Sequence, residues 1–174
     1  MPPTPPLLHH IRNTLVVFIL TFCTFSLLGV IAMATGLPFL FPSLGPTGFL
    51  LFYDPQSQTS APKNVLCGHV VGIVCGYFSL WATGLIHAGS VLANGIDPSR
   101  IVAAALSFSL TSLLMTILGV HHAPAVATTL IISLGFMTVI RDLVVIEISV
   151  GLLVIFALML QRVPTMIDRP GNQN

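Results

Sequence analysis

Four long hydrophobic runs dominate the pattern of the chain, at residues 14–35, 65–92, 101–120 and 143–160. Each is long enough to cross a bilayer as an α-helix, for which about 20 apolar residues suffice. None contains a lysine, arginine or aspartate, and Glu147 is the only acidic residue within them. The pattern therefore predicts four full transmembrane helices.

Two further apolar segments, residues 37–52 and 121–140, are interrupted by proline. Pro38, Pro42 and Pro46 follow one another in the first, and the second opens with His121, His122, Ala123 and Pro124. Proline in a helix interior removes a backbone donor and clashes with the preceding turn, but it suits the first turn. Each segment is therefore predicted to be an irregular entry followed by a half-helix. The predicted fold is an all-α integral membrane protein with four full helices and two broken segments.

The two halves of the chain correspond weakly at a constant offset, with these matches: Pro46 with Pro124, Lys63 with Arg141, Asn64 with Asp142, and His69 with Glu147. They predict an inverted two-fold repeat, residues 13–93 and 98–162. The repeat forms one membrane domain, 13–162, between an N-terminal tail, 1–12, expected to be disordered, and a C-terminal tail, 163–174.

The distribution of basic residues favours cytoplasmic termini if each half crosses three times. In a bacterium the membrane would be the inner or plasma membrane. If residues 37–52 are instead re-entrant, the number of crossings and the topology change.

Composition supports a membrane location and excludes some partners. The chain is 55% hydrophobic and only 6% charged, whereas soluble domains carry about 25% charged residues. A net charge of +1 leaves no broad electrostatic footprint for nucleic acid. The three dispersed cysteines suggest neither a disulfide framework nor a zinc site.

The broken segments are the predicted location of a substrate site. Irregular backbone at membrane depth requires protein or a water-filled cavity around it, and paired broken segments mark the sites of many transporters. Helix starts offer free amides and a positive dipole end, which suit an anion. The predicted substrate-binding residues are Ser43, Gly45, Pro46, Thr47, His121, His122 and Pro124. The alternative is that the prolines are kinks and the hydroxyls bond to their own backbone.

A second group of residues is predicted to serve an ion path or coupling: Lys63, Asn64, His69, Arg141 and Glu147. Lys63 and Arg141 either anchor their helices at the interface or lie at opposite mouths of the path. His69 and Glu147 are ionisable groups within membrane spans, which are costly and point to function. They are expected either to pair with each other or to couple transport to protons. A purely structural pair is the alternative.

The motifs resemble a known family. Residues 41–47 (Phe-Pro-Ser-Leu-Gly-Pro-Thr), residues 62–64 (Pro-Lys-Asn) and the Gly68-His69 pair are similar to the first half of the HPP family of membrane proteins. Residues 122–128 stand where the naming His-Pro-Pro motif is expected, with Ala123 in place of its first proline and Val126 in place of a glycine. The resemblance implies a small helical membrane protein, and members in photosynthetic organisms are linked to nitrite transport.

The expected function is transport of a small monovalent anion, most readily nitrite, by alternating access. An anion channel and a non-transporting membrane scaffold subunit are the alternatives. An enzyme is not expected, because the chain lacks paired aspartates, a serine–histidine–acid pattern and metal-ligand spacing. No cofactor and no metal are expected. Six short helical elements can hardly enclose a solvated path alone, so a homo-oligomer, dimer or trimer, is predicted.

Overall fold

The computed structural model describes residues 6–161, and all regular structure in that range is helical. The helices are α1 (Pro6–Thr35), α2 (Leu44–Tyr53), α3 (Pro62–Ala82), the four-residue α4 (Val91–Asn94), α5 (Pro98–Leu118), α6 (Pro124–Ser133) and α7 (Ile140–Gln161), with a 3₁₀ turn at Gln58–Ser60. By length and composition, four can cross a membrane: Asn13–Thr35, Pro62–Ala82, Pro98–Leu118 and Ile140–Leu160. The prediction of an all-helical protein with four such spans is confirmed.

Two predicted boundaries differ from the structure. The second span was expected to continue to residue 92, but α3 ends at Ala82 and Gly84 adopts a left-handed conformation with φ 73°. A hydrophobic run does not reveal this glycine turn. The helix α1 begins at Pro6, so residues 6–12, which the sequence assigned to a disordered tail, are helical. The predicted C-terminal tail, 163–174, lies outside the described residues.

The two broken segments form the predicted half-helices. Each of α2 and α6 has 10 residues, which corresponds to about 15 Å of helix, half of a hydrocarbon core about 30 Å thick. Pro46 lies in the first turn of α2, and Pro124 is the first residue of α6. Both prolines therefore occupy positions where a missing backbone donor is tolerated.

Three glycines on one face of α3 bring α6 into direct backbone contact. A Cβ atom added at Gly72 would lie 2.5 Å from the carbonyl oxygen of Ala125. At Gly76 it would lie 2.9 Å from Ile132 Cβ, and at Gly68 it would lie 2.9 Å from His122 Cβ. Small residues at this spacing allow membrane helices to approach closely and gain dispersion contacts. The α3–α6 contact thus positions the start of α6 against α3.

The opposite end of α6 is held by Arg100, near the start of α5. This side chain is 3% exposed. Its Nη1 donates to the carbonyl oxygen of Ser133 at 3.0 Å, and its Nη2 donates to that of Gly89 at 2.6 Å. Ser133 is the last residue of α6, so the cation lies at the negative end of that helix dipole.

The long–short–long order of helices occurs twice, as α1–α2–α3 and as α5–α6–α7. Helix α3 packs on α5 and α6, and α7 packs more loosely on α1 and α2. At the offset of the proposed repeat, Ile146, Val150 and Val154 of α7 take the places of the three glycines of α3. These larger side chains are buried, so α7 has no glycine face like that of α3. The inverted repeat itself stays a prediction.

Replacing Gly72 with alanine is expected to destabilise the protein by about 1–3 kcal/mol, because the new methyl group overlaps the Ala125 carbonyl. Thermal unfolding of the detergent-solubilised protein measures the change. Gly151→Ala is the matched control, because nothing lies within 4 Å of a Cβ at Gly151. That variant should unfold at the same or a higher temperature, since alanine favours helix. Equal stability of the two variants would contradict the α3–α6 contact.

Candidate functional site

The N-terminal ends of the two half-helices meet. Ser43 precedes α2, and its hydroxyl does not cap that helix; instead its Oγ lies 2.7 Å from Thr128 Oγ1 of α6. One turn into α2, Thr47 Oγ1 lies 3.2 Å from Nε2 of His122, which precedes α6. Two irregular segments far apart in the sequence are therefore joined through their polar side chains.

His69 of α3 joins both half-helices. Its Nε2 lies 2.9 Å from Thr47 Oγ1, and its Nδ1 lies 2.7 Å from Thr128 Oγ1. Its Nε2 is also 3.3 Å from Nε2 of His122, with the ring centroids 5.0 Å apart. We call Ser43, Thr47, His69, His122 and Thr128 the histidine–hydroxyl cluster.

The histidine–hydroxyl cluster is sealed from solvent. His122 is 1% exposed and the other four residues are 0% exposed. The cluster lies about 10 Å along α3 from its first residue, because His69 follows Pro62 by seven positions at about 1.5 Å each. Burial of these polar groups is tolerated because they bond to one another. The turn at Gln58–Ser60 covers the cluster, and the Thr59 carbonyl oxygen is 2.9 Å from His122 Nδ1.

Hydrogen positions in the cluster follow from the hydrogen-bond network. The Thr59 carbonyl can only accept, so His122 carries its hydrogen on Nδ1 and leaves Nε2 as an acceptor when neutral. The Thr47 hydroxyl donates to the carbonyl oxygen of Ser43 at 3.0 Å. Its oxygen therefore accepts from Nε2–H of His69, which also faces the His122 Nε2 lone pair.

The remaining hydrogen bonds of the cluster run through His69 Nδ1 and the hydroxyls of Thr128 and Ser43. His69 Nδ1, without hydrogen, accepts from the Thr128 hydroxyl, and Thr128 accepts from the Ser43 hydroxyl. Every hydroxyl hydrogen and ring N–H in the cluster thus has an acceptor, with both imidazoles neutral. The cluster therefore combines hydrogen-bonded polar side chains with the positive ends of two helices, and it carries no fixed charge.

Backbone N–H groups at the two helix starts provide fewer free donors than the sequence predicted. The N–H groups of Leu44 and Gly45 donate to the carbonyl oxygens of Phe41 and Pro42, at 3.1 and 3.2 Å. In α6, the N–H of Ala125 donates to the His122 carbonyl at 3.1 Å. The tight first turns occupy these amides. The expectation of free amides at both helix starts is wrong at these positions, and the polar side chains there are hydroxyl and imidazole groups.

The structure brings together four of the predicted residues, namely Ser43, Thr47, His69 and His122. Three others lie elsewhere: His121 and Pro46 are exposed, and Gly45 lines a groove beside aromatic residues of α1. Pro124 is buried as the first residue of α6, where it sets the helix start.

The residues predicted for an ion path or coupling are dispersed. Lys63 is exposed, and buried Asn64 donates from Nδ2 to the Gln58 carbonyl at 2.7 Å, which holds the covering turn. Arg141 and Asp142 form an ion pair at 3.0 Å, with Arg141 exposed.

Glu147 does not pair with His69. Its Oε2 is buried without a hydrogen-bond partner, and the residue lines an apolar groove of about 610 Å³ between α3 and α7 with Val70, Tyr77 and Trp81. The hydrogen bonds of His69 go instead to Thr47, Thr128 and His122. The predicted His69–Glu147 pair is therefore wrong, because the two side chains leave α3 and α7 in different directions.

Two groups in the site were not predicted: Thr128 and the carbonyl of Thr59. Thr128 follows Pro124 by four residues, so both lie on one face of α6. Ser43 and Thr47 are also four residues apart, and this matching spacing was the sequence signal that could have identified Thr128. The Thr59 carbonyl carries no sequence signal. Within residues 6–161, no group of three or more His, Cys, Asp or Glu side chains is placed to hold a metal ion.

Comparison with known families agrees with the helical membrane fold. The family model described as HPP, transmembrane region, matches residues 6–170. The chain belongs to the HPP transmembrane family. The match confirms the resemblance seen in the two half-helix segments, and it covers all the helices of this HPP protein. Comparison with curated proteins and with solved structures gave no match.

Replacing Thr128 with valine is expected to destabilise this HPP protein by about 1–3 kcal/mol, because Ser43 Oγ and His69 Nδ1 lose a buried partner. Thermal unfolding in detergent measures the effect. Thr129→Val is a close control, since Thr129 is also 0% exposed but its Oγ1 has no hydrogen-bond partner. The control should be as stable as the wild type or more so. If both variants lost the same stability, the hydrogen bonds of Thr128 would not be the cause.

Proposed function

We propose that this HPP-family protein transports a small monovalent anion across the membrane, with nitrite as the first candidate substrate. The observation that carries the proposal is the meeting of the α2 and α6 N-terminal ends at the buried histidine–hydroxyl cluster. Each helix start contributes roughly half a positive elementary charge. Two such ends directed at the same cluster favour an anion over a cation.

The surroundings of the cluster also favour an anion. Among the residues described, no carboxylate bonds to the cluster: Asp54 is exposed, Asp97 accepts from the Arg100 backbone N–H, Asp142 pairs with Arg141, and Glu147 lines the groove between α3 and α7. A nearby carboxylate would repel an entering anion. The donors are hydroxyl and imidazole groups, which suit the oxygens of a small oxyanion.

The substrate is expected to be small. Gly68 and Ala125 lie directly against the cluster, and a single added methyl group at Gly68 would collide with His122. The close packing around the cluster therefore favours a small oxyanion over a larger solute. Nitrite is preferred because members of the HPP family in photosynthetic organisms are linked to nitrite transport.

Alternating access is the proposed mechanism. The cluster residues are at most 1% exposed, so an anion reaches them only if α2 separates from α6. The packing of α3, α5 and α6 is extensive, whereas α1, α2 and α7 pack more loosely. We propose that α2, with the loosely packed helices beside it, moves against α3, α5 and α6 to open the cluster. Assembly as a homo-oligomer, dimer or trimer, and a role as a carrier rather than an enzyme belong to the same proposal.

Purified protein reconstituted in liposomes tests the function. Saturable uptake that prefers nitrite to nitrate, formate and chloride is the expected result, measured as the rate above protein-free vesicles. Ser43→Ala and His122→Ala should each reduce uptake about tenfold, the equivalent of one lost hydrogen bond. His121→Ala is the matched control, because the neighbouring His121 is exposed, and should transport normally.

A channel and a scaffold protein predict different results. A single-channel current in planar bilayers without saturation would indicate a channel. No flux of any of the four anions, from protein that elutes as a monodisperse peak, would contradict transport and favour a scaffold. Equal loss of uptake in the His121 and His122 variants would remove the cluster from the mechanism.

A further inference from the structure

We infer that each anion crosses together with one proton, and that the His69–His122 pair carries this proton, so that transport is electroneutral. The inference rests on the proposed function and adds the coupling ion. It starts from the contact between the two Nε2 atoms, which are 3.3 Å apart at the centre of the cluster.

The pair holds a single hydrogen between its two Nε2 atoms. The Thr59 carbonyl requires the hydrogen of His122 on Nδ1, so His122 Nε2 is a lone pair directed at Nε2–H of His69. In this neutral state the cluster hydroxyls and ring N–H groups are engaged with one another. An anion entering it would find no unoccupied side-chain donor among them.

A proton added to His122 Nε2 changes both the charge and the geometry. Both facing nitrogens then carry hydrogens, and two N–H groups cannot donate to each other at that separation. Because the Thr128 hydroxyl donates to His69 Nδ1 and keeps the hydrogen of His69 on Nε2, the rings turn apart. Two N–H donors and one positive charge are then available at the same place. Two adjacent donors and a cation match an oxyanion with two oxygens. Protonation therefore creates the anion site, and loss of the proton closes it.

The cost of burying charge favours the same stoichiometry. A lone anion at a site 0–1% exposed loses its hydration, and the described residues bonded to the cluster supply no fixed positive charge to replace it. One imidazolium neutralises one monovalent anion. No bond in the anion forms or breaks: the proton binds His122 Nε2 from one side of the membrane and leaves to the other side.

Other ionisable groups on the neighbouring helices do not face the pair. On α5, Arg100 binds the carbonyl oxygens of Ser133 and Gly89 at the far end of α6. On α7, Glu147 lines the groove between α3 and α7, and Arg141 and Asp142 pair with each other. On α3, Lys63 is exposed and Cys75 packs with Val71 and Met115. His69 and His122 are therefore the residues to which the proton is assigned.

Liposomes with independent control of pH and membrane potential test the coupling. An inward proton gradient of about one pH unit should raise the protein-dependent initial rate of nitrite uptake by up to about tenfold, because one proton moves with each anion. Potassium with valinomycin sets the potential, which should leave the uptake rate unchanged. Nitrous acid crosses lipid unaided, so initial rates are taken above those of protein-free vesicles.

His122→Gln keeps a polar side chain but cannot take up a proton, and it should lose the acceleration by the proton gradient. His121→Gln, at the exposed neighbour, should keep it. Uptake that follows the membrane potential and ignores the proton gradient would overturn the inference and leave anion transport standing. A His122→Gln protein that still responds to the proton gradient would also overturn it. No uptake under any gradient would contradict transport and coupling together.

Discussion

The close contact between α3 and α6 is the constraint on which the rest of the structure depends. In lipid, apolar side chains gain little by leaving the solvent, so helices associate through close packing. Gly68, Gly72 and Gly76 supply it, because a Cβ at any of them would lie within 3 Å of α6 or of His122. The same face of α3 carries His69, one position after Gly68. The contact that packs the helices therefore also sets the distance between the two imidazoles.

The asymmetry between the halves gives this contact a functional meaning. The glycine face joins α6 firmly to α3, and Arg100 fixes the far end of α6. In the other half, α7 has bulkier buried residues at the corresponding positions. Helix α2 meets α6 through Ser43–Thr128 and Thr47–His122. Those bonds are polar, reversible and without fixed charge. A cluster that is easily opened on one side and rigid on the other suits a site that binds and releases a small anion.

Much of this fold was predictable, because its signals are local. Proline positions predicted both half-helices, and hydrophobic length predicted four spans. The site was only partly predictable, because its partners come from distant segments. Repeat symmetry suggested that His69 pairs with Glu147, but symmetry-related residues meet only near the symmetry axis. Glu147 instead lines the groove between α3 and α7, away from the cluster. Thr128 and the Thr59 carbonyl bind the histidines only after α6 has packed on α3. Free helix-start amides were expected, yet tight turns occupy several of them.

The most direct test of the account is a ¹⁵N NMR measurement of the histidine rings in lipid, with and without nitrite. Without nitrite, His122 should carry its hydrogen on Nδ1 and His69 on Nε2. Saturating nitrite should shift the ring nitrogens of both residues and produce an imidazolium signal, while the exposed His121 and His87 stay unchanged. If nitrite left His69 and His122 unaltered in protein that transports it, the cluster would not be the anion site.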